Sequence, residues 1–214
     1  DGDYAMPAFV DTVDRVADTL KLDRFVIGGN SMGGGIAMAY ALKHPERLDG
    51  LILVDAGGAP IKREGAGNIG FTIARTPVVN RLMAHITPRS LVTKSLSQSV
   101  SNQGVVTPEA VDRYWELLRY PGNRAATMAR FGQERKPFDS AALKRLEIPV
   151  LIIWGEEDRL IPFEAAGWFK ANLPNSTLIS YPHIGHLPME ETPDASGSAV
   201  RDWVGKLPLS IADR

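Results

Sequence analysis

The stretch from Phe25 to Gly35, which reads FVIGGNSMGGG, constrains the fold of this chain more than any other segment. It places one serine among five glycines, immediately after a short apolar run that is typical of a β-strand. Glycine is entropically costly inside regular structure, so this many at one point indicate a backbone shape that side chains would block. Residues 29–33 fit the pattern G-x-S-x-G, in which the serine occupies a tight, strained turn from a strand into a helix.

Two other glycine-rich motifs do not fit this stretch. The dinucleotide pattern G-x-G-x-x-G fails because Asn30 and Ser31 occupy the positions where its second glycine could fall, and the phosphate-binding P-loop requires a lysine that is not present. A glycine-rich turn with an incidental serine remains the alternative. If Ser31 is a nucleophile, the turn lifts its hydroxyl above the sheet, and the Met32 amide at the N-terminus of the following helix can donate to an oxyanion.

Apolar strand-like runs alternate with amphipathic segments along the chain. We predict strands at 25–27, 51–55, 149–154 and 177–181, and helices at 7–21, 36–43, 163–172 and 193–206. This alternation favours an α/β fold with a mostly parallel sheet and helices on both faces.

The segment 58–146 has no convincing strand, and Thr107-Pro108-Glu109 within it is typical of a capped helix start. We interpret this segment as a helical lid inserted into a core made of residues 1–57 and 147–214. Candidate apolar residues for a substrate pocket in this insert are Phe71, Leu82, Met83, Trp115 and Met128. Ordinary helix packing is the alternative for each of them.

Composition excludes several classes of function. The 214 residues carry a net charge of about −1 with no basic face, which argues against a nucleic-acid partner. The absence of cysteine excludes disulfides, thiolate metal sites and a cysteine nucleophile. No apolar run approaches the length of about 20 residues that spans a bilayer. The four histidines are scattered without paired spacing, so we predict no metal site, and we expect no cofactor.

A serine nucleophile needs a base, and the base needs an orienting group. In the G-x-S-x-G architecture the partners follow in the order serine, acid, histidine, and here acids and histidines do follow the third and fourth predicted strands. We predict Asp158 as the acid, because a turn after Gly155 would bring its short side chain back over the strand end, and His186 as the base. Rival acids are Asp55, Glu156 and Glu157, and the other histidines are His44, which is at a helix end, His85 and His183.

At these residues the chain resembles the α/β-hydrolase superfamily. The segments GNSMGG, WGEED and GHLPME are each typical of it, and the resemblance extends from the first helix to the last. It implies Ser31 as nucleophile, His186 as base, Asp158 as orienting acid, and a small-molecule substrate. We also predict oxyanion contact by Met32 and substrate contact by Asn30, Trp115 and Leu187.

Within the superfamily, a serine at position 31 argues against haloalkane dehalogenases and epoxide hydrolases, which use aspartate there. The glycine-rich turn and Asp55-Ala56-Gly57-Gly58 look like the branch of esterases and meta-cleavage-product C–C hydrolases. That second group usually has tryptophan after the catalytic histidine, whereas this chain has Leu187. We therefore expect a carboxylic ester hydrolase for a small or medium apolar substrate. The alternatives are a C–C hydrolase and a catalytically silent small-ligand-binding protein of the same fold.

The family normally has further strands, and a His-Gly loop that supplies a second oxyanion amide, before the first helix seen here. Nothing in this chain matches them, so the resemblance implies a sheet completed by an absent N-terminal segment or by a second chain. We also expect a cytoplasmic protein.

Overall fold

The computed structural model describes residues 2–61, 76, 86–131, 133 and 136–208. Four strands form one parallel sheet in the order β1-β2-β3-β4: β1 (Phe25–Asn30), β2 (Leu48–Val54), β3 (Val150–Gly155) and β4 (Ser176–Tyr181). The helices in this part of the chain are α1 (Met6–Thr19), α2 (Met32–Lys43), α3 (Arg89–Ser99), α4 (Pro108–Arg119), α5 (Asn123–Phe131), α6 (Ser140–Leu143), α7 (Glu164–Asn172), α8 (Pro188–Glu191) and α9 (Pro193–Val204). Short 3-10 turns cover Pro45–Arg47 and Gln103–Val105.

The sheet separates two layers of helices. Leu51 and Leu53 of β2 are fully buried in a core that also contains residues of α2 and α7, such as Met38 and Phe169. Gly50 faces the opposite side, where a Cβ would lie 2.7 Å from the ring of Trp203 in α9. Successive residues of a strand point to opposite faces, so α9 covers the face that α2 and α7 leave. The predicted α/β fold with a parallel sheet between helix layers is confirmed.

Helix α2 begins four residues earlier than the sequence pattern predicts. We expected it to start at Ile36, because glycines weaken helices, but it starts at Met32 and includes three glycines. Close packing explains them in part: a Cβ on Gly34 would lie 2.5 Å from the Cβ of Ala56. A Cβ on Gly29 in β1 would lie 2.2 Å from the carbonyl carbon of Gly33. Strand, turn and helix therefore approach at distances that only glycine permits.

The insert is helical in the residues that the structure describes between 58 and 146, and none of these forms a strand. Helix α4 begins where the sequence predicts: the Thr107 hydroxyl accepts a hydrogen bond from the Ala110 amide at 3.1 Å, and Pro108 is the first helical residue. Helices α3 and α4 bury a second apolar cluster of their own, formed by Val92, Leu96, Val100, Ala110 and Val111. Across the described residues, no helix combines the length and the apolar character that crossing a bilayer requires.

Candidate active site

Ser31 lies on a strained turn between β1 and α2. Its backbone has φ 55° and ψ −116°, in the left-handed half of the map that residues other than glycine rarely enter. Main-chain hydrogen bonds hold the turn, since the Ser31 carbonyl accepts from the amides of Gly35 at 3.1 Å and Gly57 at 2.9 Å. This is the backbone shape that the glycine cluster predicts.

Met32 is the first residue of α2, and its side chain is exposed. The first intrahelical hydrogen bond of α2 runs from the Gly35 amide to the Ser31 carbonyl. The amide of Met32 therefore belongs to the N–H groups that lack an acceptor within the helix. Together with the positive end of the helix dipole, it can stabilise negative charge that develops beside Ser31.

Asp158 and His186 are in direct contact. The Nδ1 atom of His186 lies 2.7 Å from Oδ2 of Asp158, and both side chains are buried. The other carboxylate oxygen, Oδ1, accepts from the amides of Leu160 at 2.7 Å and Ile161 at 3.1 Å. The carboxylate is thus fixed on both oxygens, and the contact leaves Nε2 as the ring nitrogen that can exchange a proton with a nucleophile.

Asp55 lies behind this pair and has a different environment. It follows β2, is fully buried, and has a backbone φ of 45°. Its Oδ1 accepts from the Gly155 amide at 3.0 Å, while Oδ2 has no hydrogen-bond partner. Burial, and then the negative charge of Asp158, raise the pKa of the Asp55 carboxyl to about 10. Both effects favour the neutral form of the rival acid Asp55, and Asp158 is the carboxylate that accepts the hydrogen bond from His186.

Asn30 joins the serine turn to the histidine loop. Its side-chain amide donates to the carbonyls of Val54 at 3.2 Å and His186 at 3.1 Å. His186 therefore lies next to the residue that precedes Ser31, at the carboxyl ends of the strands. Both amide N–H groups of Asn30 are used in these contacts, so a substrate contact by this residue requires its oxygen and stays a prediction.

The acid loop and the histidine loop meet through their main chains. A Cβ on Gly155 would lie 1.9 Å from the Gly185 carbonyl oxygen, and the Glu157 amide donates to the Ile184 carbonyl at 2.9 Å. Direct backbone contact thus sets the separation between the end of β3 and the histidine loop.

The other candidate groups point elsewhere. The His183 side chain is 89% exposed, and its Nδ1 lies 3.0 Å from Glu157, whose pKa this contact lowers. Glu156 accepts from the Ser180 hydroxyl. His44 ends α2 and packs on the ring of Tyr40. None of these contacts reaches the Asp158–His186 pair.

The predicted substrate residues Trp115 and Leu187 both pack against the apolar cluster of α3 and α4. The Trp115 indole donates to the Thr87 carbonyl at 2.8 Å, and the Arg119 guanidinium lies 4.1 Å from its ring centroid. Met128 is half-buried in α5. Substrate contact by these residues stays a prediction. Phe71, Leu82, Met83 and His85 lie outside the described residues.

One cluster in the described part of the chain has the spacing of a metal site: Asp55, Asp158 and His186 each offer a ligand atom within 4.8 Å of the others. Two of these groups already hydrogen-bond to each other, and burial and the charge of Asp158 raise the pKa of the Asp55 carboxyl, which favours its protonated form. Metal ligands must be deprotonated, so this cluster is better suited to moving a proton than to holding a divalent cation.

Sequence reasoning missed Glu191. Its buried carboxylate accepts hydrogen bonds from main-chain amides on both sides of His186. The sequence signal was an acid three residues after Pro188, because a side chain at that position can fold back onto the loop that contains His186.

Comparisons with known proteins show the family of this chain. The model of a family described as the alpha/beta hydrolase family matches residues 1–196. An uncharacterized hydrolase, YugF, from Bacillus subtilis is 30% identical over 202 residues, which cover 94% of this chain and 72% of that protein.

Two further similar proteins have named activities. A 2-hydroxy-6-oxononadienedioate/2-hydroxy-6-oxononatrienedioate hydrolase from Comamonas testosteroni is 28% identical over 90% of this chain and 67% of its own length. The solved structure of a thermophilic esterase from Thermogutta terrifontis superposes with a TM-score of 0.75 at 26% identity, covering 96% of this chain and 74% of that one. The chain thus spans about two thirds to three quarters of each of these three proteins.

Proposed function

Because the chain belongs to the alpha/beta hydrolase family, we propose that it contributes a Ser31–His186–Asp158 triad to the hydrolysis of a carboxylic ester through an acyl-enzyme. The observation that carries the proposal is the buried hydrogen bond of 2.7 Å between His186 Nδ1 and Asp158 Oδ2. The strained turn at Ser31 and the bond from Asn30 to the histidine loop support it.

In the first step, the Ser31 oxygen attacks the ester carbonyl while Nε2 of His186 takes the hydroxyl proton. The carbonyl π electrons move to oxygen, where the Met32 amide stabilises the negative charge. Collapse of this intermediate breaks the bond to the alcohol oxygen, which leaves with the proton from His186. Water then attacks the acyl group by the same route, and the carboxylic acid and free Ser31 are the products.

Asp158 orients the imidazole in this scheme. By holding Nδ1–H, its carboxylate selects the tautomer that leaves Nε2 free, and it stabilises the imidazolium that forms during each attack. Hydrogen bonds from Leu160 and Ile161 amides fix the carboxylate, so little reorganisation is needed when the charge appears.

The test compares Ser31→Ala with the unsubstituted protein against p-nitrophenyl esters of short and medium acids. We expect turnover to fall by at least about 10⁴-fold, since the nucleophile acts as a unit with its base. Ser180→Ala is the matched control, because the Ser180 hydroxyl donates a hydrogen bond to Glu156, which lies outside the Asp158–His186 pair. Unchanged turnover in Ser31→Ala would remove this serine from the mechanism.

A fluorophosphonate probe separates the enzyme from a silent binding protein of the same fold. The unsubstituted chain should be labelled covalently, and Ser31→Ala should not. If the unsubstituted protein stays unlabelled, the function is ligand binding without catalysis.

The Comamonas testosteroni relative supports a second candidate, hydrolysis of a C–C bond beside a ketone. Leu187 stands where such enzymes usually have tryptophan, which favours the ester. Incubation with a 2-hydroxy-6-oxo-dienoate decides between them: faster cleavage of that compound than of the p-nitrophenyl esters assigns the C–C reaction.

A further inference from the structure

A buried carboxylate binds the main chain on both sides of the histidine. Glu191, the last residue of α8, is only 7% exposed. Its Oε1 atom accepts from the Gly185 amide at 2.9 Å and from the Leu187 amide at 3.3 Å. These two residues flank His186, so one oxygen atom restrains the backbone before and after the imidazole.

The second oxygen of Glu191 binds the insert. Oε2 accepts from the amides of Ser101 and Asn102, both at 2.8 Å, in the turn that follows α3. The carbonyl of Ser99, the last residue of α3, accepts a hydrogen bond from the His186 amide at 2.8 Å. The histidine loop is therefore bonded to the insert directly and through Glu191.

The histidine loop also packs closely against the end of α3 and the turn that follows it. A Cβ on Gly185 would lie 2.7 Å from the Ser99 carbonyl oxygen and 2.8 Å from the Ser101 amide nitrogen. The Leu187 side chain packs against the apolar cluster of α3 and α4, which includes Val100. The loop that carries the base thus rests on the insert with no side chain between the two backbones at Gly185.

We propose that Glu191 is a positioning residue for His186. Its carboxylate fixes the imidazole by hydrogen-bonding the histidine loop to the turn after α3. This inference rests on the proposed function, because it assigns His186 the role of base. A carboxylate suits this place since both of its oxygens only accept, and four amides converge on them. A glutamine there would turn an NH₂ group towards two of those amides and leave them without an acceptor.

The neighbouring Glu190 provides a matched control. It also joins α8 to the insert, because its carboxylate accepts from the Tyr114 hydroxyl and lies 3.3 Å from the Arg113 guanidinium. It does not bind the amides that flank His186. Loss of the Glu190 carboxylate therefore tests the docking of α8 on the insert, while the hydrogen bonds between Glu191 and the histidine loop are kept.

The experiment compares Glu191→Gln with Glu190→Gln in two measurements. The first is ester turnover: we expect kcat to fall about 10- to 100-fold in Glu191→Gln with KM changed by less than about two-fold, because a base displaced by a fraction of an ångström loses rate and not binding. The second is the downfield proton NMR signal of the His186–Asp158 hydrogen bond, which should broaden or disappear. Glu190→Gln should keep both kcat and this signal.

The NMR signal requires no turnover, so it decides the inference even if the proposed ester activity fails. A Glu191→Gln protein that retains the kcat and the proton signal of the unsubstituted protein would overturn the proposal. Equal losses in Glu190→Gln would also overturn it, since general docking of α8 would then explain the effect.

Glu191→Asp keeps the test decisive if the glutamine variant does not fold. Its shorter side chain retains the charge but reaches only one of the two amide pairs, so we expect an intermediate kcat and a weakened proton signal. Unchanged values of both in a folded Glu191→Asp protein would again contradict the positioning role.

Discussion

The buried Asp55 carboxyl makes the stability of this protein depend on pH in a defined direction. Its pKa is raised to about 10 by burial and by Asp158, whereas an aspartate in the unfolded chain titrates near pH 4. Between these values the folded state binds one more proton than the unfolded state. The free energy of unfolding contributed by this group is therefore greatest at low pH and falls as pH rises.

Asp55→Asn should remove this dependence. The asparagine oxygen can still accept from the Gly155 amide, and its side-chain amide does not titrate. Relative to this variant, the unsubstituted protein should lose stability on going from pH 5 to pH 9. Urea unfolding of both proteins at several pH values measures the difference. Parallel stability curves would show that the Asp55 carboxyl is not protonated in the folded state.

The choice of Asp158 over Asp55 illustrates what a sequence can supply for single residues. The order serine, acid, histidine and the placement of each after a strand are visible in the chain. The raised pKa of the Asp55 carboxyl is not visible there, because it depends on burial and on an approach to Asp158 that only the folded sheet creates. Glu191 could not be predicted for a similar reason. Its hydrogen-bond partners are main-chain amides, which every residue except proline has, so the sequence does not identify them.

Among the elements, α2 depends most closely on its glycines. A Cβ on Gly34 meets Ala56 at 2.5 Å and the Gly29 carbonyl oxygen at 2.9 Å, while a Cβ on Gly33 meets nothing within 4 Å. Gly34→Ala should therefore lower the free energy of unfolding by about 1–3 kcal/mol through overpacking.

Gly33→Ala is the control for that substitution. With no clash, the added methyl group should be neutral or raise stability by up to about 1 kcal/mol, because alanine favours the helix over glycine. Thermal or urea unfolding of both variants measures the contrast. Equal effects of the two substitutions on stability would mean that the close packing of Gly34 against Ala56 and Gly29 does not govern this segment.

Strand positions were predictable because buried parallel strands are short apolar runs between turn signals. The start of α2 was not, since local propensity argues against three glycines in a helix and only the packing against Gly29 and Ala56 explains their presence. The capped start of α4 was predictable, because the Thr107 hydroxyl and Pro108 act within one turn.

In the whole molecule, two apolar clusters are buried separately in the described part of the chain. One lies between the sheet and helices α2 and α7 and includes Leu53, and the other joins α3 to α4 and includes Leu96. Segments with separate cores can open independently. Leu96→Ala should therefore accelerate amide hydrogen exchange in α3 and α4 while the strands keep their protection.

Leu53→Ala provides the comparison, since its cavity lies in the sheet core. It should lower the free energy of global unfolding by about 2–5 kcal/mol and reduce protection in every element that exchanges by global unfolding. Native-state hydrogen exchange, followed by mass spectrometry, measures the amide protection of each element in both variants. If Leu96→Ala reduced protection in the strands as much as in α3 and α4, the two clusters would form one cooperative unit.

The direct main-chain contact between Gly155 and Gly185 has a consequence for how such a protein can change over generations. Peptide groups set the closest approach of the two loops at this point, so nearby side chains other than those of Asp158, His186 and Glu191 can be exchanged without changing that approach. Substrate preference can then change while this backbone contact is kept, provided that both positions remain glycine.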